Sequence, residues 1–445
     1  MTGVEIALIG FALMLIAIFL RVPIAVAMGI TGFVGIWVMR GSAAAPLSQL
    51  KTLGFDTFSS YSLSIVPMFL LMGQFATKSG MSRALFQAAA DWLGHRRGGI
   101  AMATVGACAG FGAICGSSLA TASTMGQVAL PEMRRAGYSD RLATGVLAAG
   151  GTLGILIPPS VILVIYAILA EQNIAKMFSA AIVPGILAAL GYMITVRVMA
   201  GFDPAHVEYE RAPISARLRS LVGIWPVIAI FALVMGGIAA DWNWSKEGVQ
   251  ALFTPTEGAA VGMILTGLYG ALRGDLTRAG FVDSLLEAAS ATAMIFLILL
   301  GAQLFNSFLA FTQAPQMLAQ WIAANSVAPF AVLLAMLLFY LIFGCVMDSL
   351  SMILLTIPIF FPIIETLDFG LGAEGTAIWF GILALITVEV GLITPPVGLN
   401  LFIINGLSKD TAIGETYRGV LPFIATDILR VALILLVPSL ALWLV

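Results

Sequence analysis

Charge is scarce in this 445-residue chain: only 10% of its residues are Asp, Glu, Lys or Arg, where a soluble fold usually carries about 25% to keep its surface solvated. That shortage excludes an ordinary water-soluble domain. The 21 Lys and Arg nearly cancel the 23 Asp and Glu, for a net charge of -2, so the basic field of a nucleic-acid binder is missing. Histidine occurs only at His95 and His206, and cysteine only at Cys108, Cys115 and Cys345. Neither set has metal-ligand spacing, and an odd cysteine count argues against a disulfide framework, so free, buried thiols are expected. No GxxxxGK[ST] occurs and no serine has a histidine to activate it, so the chain does not read as an enzyme or an ATP-driven pump. Energy must come from an ion gradient or a partner. No basic n-region or cleavage site marks a signal peptide, so the first helix is expected to be retained.

Apolar sequence fills the space instead, with 60% hydrophobic residues and a mean hydropathy of +1.04. A spanning helix needs about 20 apolar residues, because the hydrocarbon core is about 30 Å thick and each residue rises 1.5 Å. Segments 4–20, 22–40, 55–77, 98–133, 142–170, 177–198, 220–240, 255–272, 284–307, 328–364, 375–406 and 415–444 qualify. Lipid must cover much of the molecule.

Two of these segments are too long for one crossing. The first, 98–133, has Arg96 and Arg97 before it, Arg134, Arg135 and Arg141 after it, and small residues at its centre. The positive-inside rule puts both ends on the cytoplasmic face, which a re-entrant hairpin satisfies and a straight helix does not. The second, 328–364, lies in a stretch without Lys or Arg between Arg278 and Lys409, so it is expected to enter from outside. Ten crossings and two hairpins then place 17 Lys and Arg, Arg430 among them, on the cytoplasmic side and only Arg40, Lys51, Lys176 and Lys246 outside.

The halves resemble each other in three ordered places. Residues 66–73 (VPMFLLMG) match 293–301 (AMIFLILLG), 115–131 (CGSSLATASTMGQVALP) match 346–362 (VMDSLSMILLTIPIFFP), and 153–161 (LGILIPPSV) match 390–399 (VGLITPPVGL). Each half holds five crossings and a hairpin, an odd number that inverts one half relative to the other, and inverted repeats with broken helices mark secondary transporters. The expected fold is therefore an all-α polytopic membrane protein of two inverted repeats, about ten crossings plus two re-entrant helical hairpins. The first repeat, 1–200, contains helices within 4–77, an arm at 81–95, the hairpin 98–133, a broken helix 142–170 and a helix 177–198. A cytoplasmic linker, 201–219, leads to the second repeat, 220–445, with helices within 220–307, an arm at 309–325, the hairpin 328–364, a broken helix 375–406 and a helix 415–444. The arms, with Trp92 and Trp321, read either as interfacial helices or as hinges between rigid bodies.

A carboxylate at membrane depth costs about 2.5–3.5 kcal/mol on insertion scales and is a functional candidate by default. Asp348, on the second hairpin tip, reads as a direct or water-mediated cation ligand. Glu389, ahead of the Pro395-Pro396 pair, reads either as a ligand or as a cap on free amides. No Arg or Lys is expected deep in any segment. Sodium takes hard oxygen donors, which unwound helices supply as carbonyls. Tip 112–118 should face 150–154, and tip 344–351 should face 388–394, which makes Gly112, Ser117, Ser118, Gly151, Gly154, Asp348, Ser349, Gly391 and Thr394 the candidate sodium sites. The half-helix N-termini favour an anion, so Ser117, Ser118, Thr121, Ser349, Thr394 and Asn400 are the candidate contacts to a carboxylated substrate. No catalytic residue and no resident cofactor are expected.

The stretches 115–131, 153–160 (LGILIPPS), 253–261 (FTPTEGAAV) and 389–401 (EVGLITPPVGLNL) resemble the large membrane subunit of a tripartite ATP-independent periplasmic (TRAP) transporter, over essentially the whole chain. The resemblance implies sodium-driven uptake of an organic acid, a dicarboxylate, sialic acid or similar carboxylate, across the bacterial inner membrane. It also implies a periplasmic substrate-binding protein, a small four-helix membrane subunit, and an elevator in which a hairpin-bearing transport domain moves against a scaffold that includes 4–40 and 220–272. Two positions depart from the family pattern: Cys115 stands where Ser is typical, at the cost of a hydroxyl, and Gly258 where Ala is common. The rivals are a carboxylate symporter that needs no binding protein and a channel or scaffold subunit.

Overall fold

The computed structural model describes residues 2–203, 211–239, 252–325 and 327–445. His206, Lys246 and the 204–210 part of the linker fall outside them. The described residues form α-helices without strands. The first half runs α1 (Gly3–Phe19), α2 (Ile24–Arg40), α3 (Ala44–Ser59), α4 (Ile65–Lys78), α5 (Met81–Leu93), α6 (Gly99–Cys115), α7 (Ser118–Arg135), α8 (Asp140–Leu156), α9 (Val161–Leu169) and α10 (Ile174–Met199). The second runs α11 (Ile214–Ala239), α12 (Pro255–Arg273), α13 (Arg278–Thr312), α14 (Ala314–Ala324), α15 (Pro329–Gly344), α16 (Ser349–Ile364), α17 (Gly372–Leu392), α18 (Leu399–Leu407), α19 (Ile413–Leu436) and α20 (Ser439–Leu442). Five helices are long and apolar enough to cross a membrane singly, and the pairs α3–α4 and α8–α9 qualify as bent spans. The chain is a multi-pass membrane protein.

Local chemistry starts these helices. The TPTE motif is a capping box: Glu257 N donates to Thr254 Oγ1 at 3.3 Å, Thr254 N donates to Glu257 Oε2 at 2.8 Å, and Pro255 takes the first helical position. That motif therefore has a complete structural reason. Ser117, Ser139, Ser160 and Asp348 cap α7, α8, α9 and α16 in the same spirit.

The halves interlock by exchange. Helix α2 packs on α13 while α12 packs on α4; α9 packs on α16 while α18 packs on α7; α10 packs on α17 while α19 packs on α8. Each pair joins one half's element to its counterpart's neighbour in the other half, as a twofold relation between repeats requires. The α2–α13 contact is close because glycines line it: a Cβ on Gly32 would come within 2.7 Å of the Leu304 carbonyl carbon.

Segment 98–133 is two helices that turn at Gly116 and Ser117, with Gly116 left-handed at φ +63°. Both ends of this hairpin meet the same stretch after α10. Arg97 Nη2 donates to Gly201 O at 2.9 Å, and Ser139 Oγ, just past the hairpin, donates to Asp203 Oδ2 at 2.8 Å. In the second hairpin, Phe330 at the entry packs edge-on against Phe369 beyond the exit, with centroids 5.5 Å apart.

Four expectations need correction. The crossing at 55–77 is interrupted: α3 ends at Ser59, and the helix that follows is bent away by 57°, because the polar run Ser59, Ser60, Tyr61, Ser62 breaks the apolar stretch. The segment 284–307 belongs to a 35-residue helix, α13, whose charged first turns extend outside the apolar core, where Lys78 meets Glu287 at 3.5 Å. The last helix stops at Leu436, ahead of Pro438. Finally, Arg430 leaves the cytoplasmic set: it lies twelve residues along α19 from Arg418, about 18 Å farther into the helix, and is 5% exposed.

The arm α5 is held to α11. Trp92 Nε1 donates to Arg217 O at 3.2 Å, and Arg217 Nη2 donates to His95 Nδ1 at 3.1 Å. Partial burial and the nearby Arg217, Arg211 and Arg96 guanidiniums lower the His95 pKa below its ordinary value, which leaves Nδ1 free to accept. Cysteines placed at Arg96 and Arg135 should both react with a membrane-impermeant maleimide from one face, since Cys108, Cys115 and Cys345 are buried; labelling from opposite faces would mean that the hairpin does not turn back.

Candidate functional site

Both hairpin tips dock into helix breaks. In the first half, Gly116 sits where a Cβ would lie 3.2 Å from Pro159 O, beside the break between α8 and α9. In the second, Gly398 N donates to Cys345 O at 2.9 Å, which stitches the break between α17 and α18 to the other tip. The peptides Pro158-Pro159 and Pro395-Pro396 are both cis. Paired glycines permit the approach: Gly112 packs on Gly154, and a Cβ on Gly391 would come within 2.7 Å of the Gly344 backbone. Candidates Gly112, Gly154 and Gly391 therefore lie at the tip-to-break contacts.

Glu389 joins the two tips. Ser118, the first residue of α7, donates to Glu389 Oε2, and Ser349, the first residue of α16, donates to Glu389 Oε1. All three are buried. Serine is a compact donor that suits this place at a helix start, where its hydroxyl reaches sideways from a tip. Glu389 thus caps no helix amide; it holds two hydroxyls from opposite hairpins, a role that sequence reasoning left undecided.

Around the first tip, several candidates converge. A Cβ on Gly151 would meet Ser118 O at 3.2 Å and Asn400 Nδ2 at 3.1 Å, and a Cβ on Gly154 would lie 2.8 Å from Ser117 O. Asn400, from α18, donates through Nδ2 to Ala148 O at 3.3 Å, while its buried Oδ1 has no hydrogen-bond partner. The buried Thr121 hydroxyl, beside the Cys115 thiol, makes no hydrogen bond of ordinary geometry. Buried oxygens without donors are uncommon in folded proteins, and two here belong to residues that pack, with the Ser117 and Ser118 carbonyls, on the Gly151–Gly154 stretch of α8. Such an oxygen set suits a hard monovalent cation. Among the described residues no group of three His, Cys, Asp or Glu gathers to hold a metal.

The second tip differs. Asp348 caps α16, accepting from Ser351 N at 3.1 Å and from Ser351 Oγ at 2.5 Å. It occupies the place Ser117 holds in the first hairpin and already neutralises the α16 N-terminus, which is therefore a poorer anion site than expected. Thr394 is not drawn into either cluster, because its hydroxyl donates to Val390 O at 2.6 Å. Asp348 and Ser351 line a cavity of about 560 Å³ between this tip and the α1–α2 turn, with Arg21 and Leu399 also on its wall.

Sequence reading missed one buried cluster. Arg430 Nη2 lies 2.8 Å from Asp427 Oδ1, with the two side chains 4% and 1% exposed, and Tyr192 Oη donates to Asp427 Oδ2 at 2.6 Å. The signal was visible as an Asp and an Arg three positions apart inside apolar sequence. It overturns the expectation that no cation lies deep.

Glu389→Ala should remove the acceptor of two buried hydroxyls and cost on the order of 3 kcal/mol, read as a lowered thermal midpoint in detergent, with Glu389→Gln costing less. Equal midpoints for Ala and the parent would mean that the tips do not depend on this carboxylate.

The sequence family described as tripartite ATP-independent periplasmic transporter, DctM component, matches residues 11–440. The chain is 34% identical over 391 residues to the C4-dicarboxylate TRAP transporter large permease protein DctM of Pseudomonas aeruginosa, covering 87% of each. It is 30% identical to the sialic acid TRAP transporter large permease protein SiaM of Vibrio cholerae, covering 87% of this chain and 86% of that one. Among solved structures, the YdaH transporter of Alcanivorax borkumensis aligns with a TM-score of 0.60 at 16% identity, over 89% of this chain and 87% of that one, a likeness of fold alone. With the docked hairpins and broken helices, these matches show that the chain is a transporter permease subunit, not an enzyme, and that it belongs to the DctM family of tripartite ATP-independent periplasmic transporters.

Proposed function

We propose that this permease drives uptake of an organic acid across the bacterial inner membrane with a sodium gradient, by an elevator movement of the hairpin-bearing body. A periplasmic binding protein delivers the acid and a small four-helix subunit braces the scaffold. The observation that carries the reading is the Glu389 bridge: two hairpins tied through one carboxylate on the second broken helix make a single body. The helices α1, α2, α4, α11, α12 and α13 pack among themselves beside it. A body held together in this way moves as a unit more readily than it comes apart.

Sodium is bound by the unpartnered Thr121 and Asn400 oxygens and the tip carbonyls in the first half, and by the Asp348 tip in the second. The cavity between the second tip and the α1–α2 turn has room for a small acid, being within the range of about 300–1,000 Å³ usual for ligand pockets, and Arg21 on its wall, not the α16 N-terminus that Asp348 already caps, is the group that meets the carboxylate. The relatives' names refer to C4-dicarboxylate and sialic acid, and a carboxylate of that class is the proposed cargo.

Uptake by proteoliposomes holding both membrane subunits tests this: it should require an inward sodium gradient and the cognate binding protein. Uptake without the binding protein would favour a self-sufficient symporter, and flux without a gradient would favour a channel. Asp348→Asn separates two roles, since Asn caps a helix about as well as Asp but carries no charge. Sodium stimulation should fall in Asp348→Asn and Asp348→Ala alike; full stimulation in the Asn variant would reduce Asp348 to a cap.

A further inference from the structure

The two broken helices carry different residues at matching positions. Glu389 stands six residues before Pro395, and Thr152 stands six residues before Pro158. The second half puts a carboxylate directly on the broken helix. The broken helix of the first half instead reaches a buried carboxylate on α19, a helix of the second half, through a chain of hydroxyls: Thr152 Oγ1 lies 3.0 Å from Tyr192 Oη, which donates to Asp427 Oδ2 at 2.6 Å. Arg430 completes the set at 2.8 Å from Asp427 Oδ1. Tyr192 has one proton and gives it to the carboxylate, so toward Thr152 it can only accept. The single Thr152 proton is then shared between Tyr192 Oη and Ala149 O, which is 2.6 Å away.

This contact holds α8 from behind. Gly151 and Gly154 share the face turned to the first hairpin, where they meet the Ser117 and Ser118 carbonyls, Thr121 and Asn400; Thr152 projects from the other side toward α10 and α19, consistent with the 100° turn per helical residue. Neither glycine has a side chain with which to fix the helix, so the grip on Thr152 adds a directed hydrogen bond to the packing of α6, α7, α10 and α19 that holds its rotation at the break.

We propose that Asp427, Arg430 and Tyr192 are positioning residues for the first helix break: acting through Thr152, they hold Gly151 and Gly154 at the spacing from the hairpin oxygens that a cation needs. The part of this that concerns sodium rests on the function proposed above. The ion pair supplies a fixed acceptor inside the bilayer, and Tyr192 transmits its position to α8. The test compares Tyr192→Phe with Thr195→Val, which cuts a different hydrogen bond between the same two helices, Thr195 Oγ1 to Thr426 Oγ1 at 2.6 Å, without touching α8.

In proteoliposomes, Tyr192→Phe should raise the half-saturating sodium concentration about fivefold or more with little change in maximal rate, while Thr195→Val stays near the parent. Hydrogen exchange of the full permease in nanodiscs should show faster exchange of amides 150–157 in Tyr192→Phe alone. The paired variant Asp427→Leu with Arg430→Met, which removes the acceptor of Tyr192 and leaves no unpaired buried charge, should fold and show the same sodium shift. If Tyr192→Phe matches Thr195→Val in both sodium dependence and exchange, the cluster only packs helices and the proposal is overturned. If the parent itself takes up substrate without regard to sodium, the sodium reading fails, and the exchange comparison still decides whether the cluster positions the break.

Discussion

A buried carboxylate must find donors or lose its charge, and in this permease Glu389 finds them on two hairpins that enter the fold from different repeats. That one requirement explains several features together. Serine begins both α7 and α16 because the donor must be short and sit at a tip. The tips must come within hydroxyl reach of α17, so the helix faces between them are glycine at Gly112, Gly154, Gly344 and Gly391. A larger residue at any of these would hold a tip away from its acceptor.

The exchanged pairs extend this dependence to the whole molecule. Since α9 lies on the second hairpin and α18 on the first, neither repeat completes its own site. Asn400 belongs to the second half by sequence but to the first tip by position, where its amide reaches Ala148 O. Tyr166 on α9 likewise donates to Ala377 O on α17. Folding such a molecule requires both halves, because each would leave polar backbone at a helix break exposed to lipid, where nothing satisfies it.

Where backbone must bend, the sequence is explicit only in part: the turn at 116–117 was legible from its glycine, but 150–154 and 388–392, expected to be unwound, are helical, and the breaks fall later, at 157–160 and 393–398, where the proline pairs withhold their amides. The N-terminal charges of α13 were not legible, because a hydropathy reading ends where apolar residues end, while the helix starts at Arg278 and its Asp283 and Glu287 meet Lys78. The α3–α4 bend has only serines and a tyrosine to announce it. Site residues on small or hydroxylated positions could be named, but which of them meet depends on distance across the fold. Thr394 and Thr121 look alike in the sequence, yet one hydroxyl is spent on Val390 O and the other has no such partner. Arg430 looked like a flanking charge until its depth along α19 was set by the helix itself.

The grip of Arg217 on Trp92 and His95 has a consequence for distance. Helix α5 is fastened to α11, and only residues 94–98 connect it to α6, with the left-handed Gly98 among them. Fully drawn out, that connector reaches about 20 Å. For as long as the grip lasts, the start of the first hairpin is on a leash of this length from the end of α5, and no rearrangement of the permease can carry it farther.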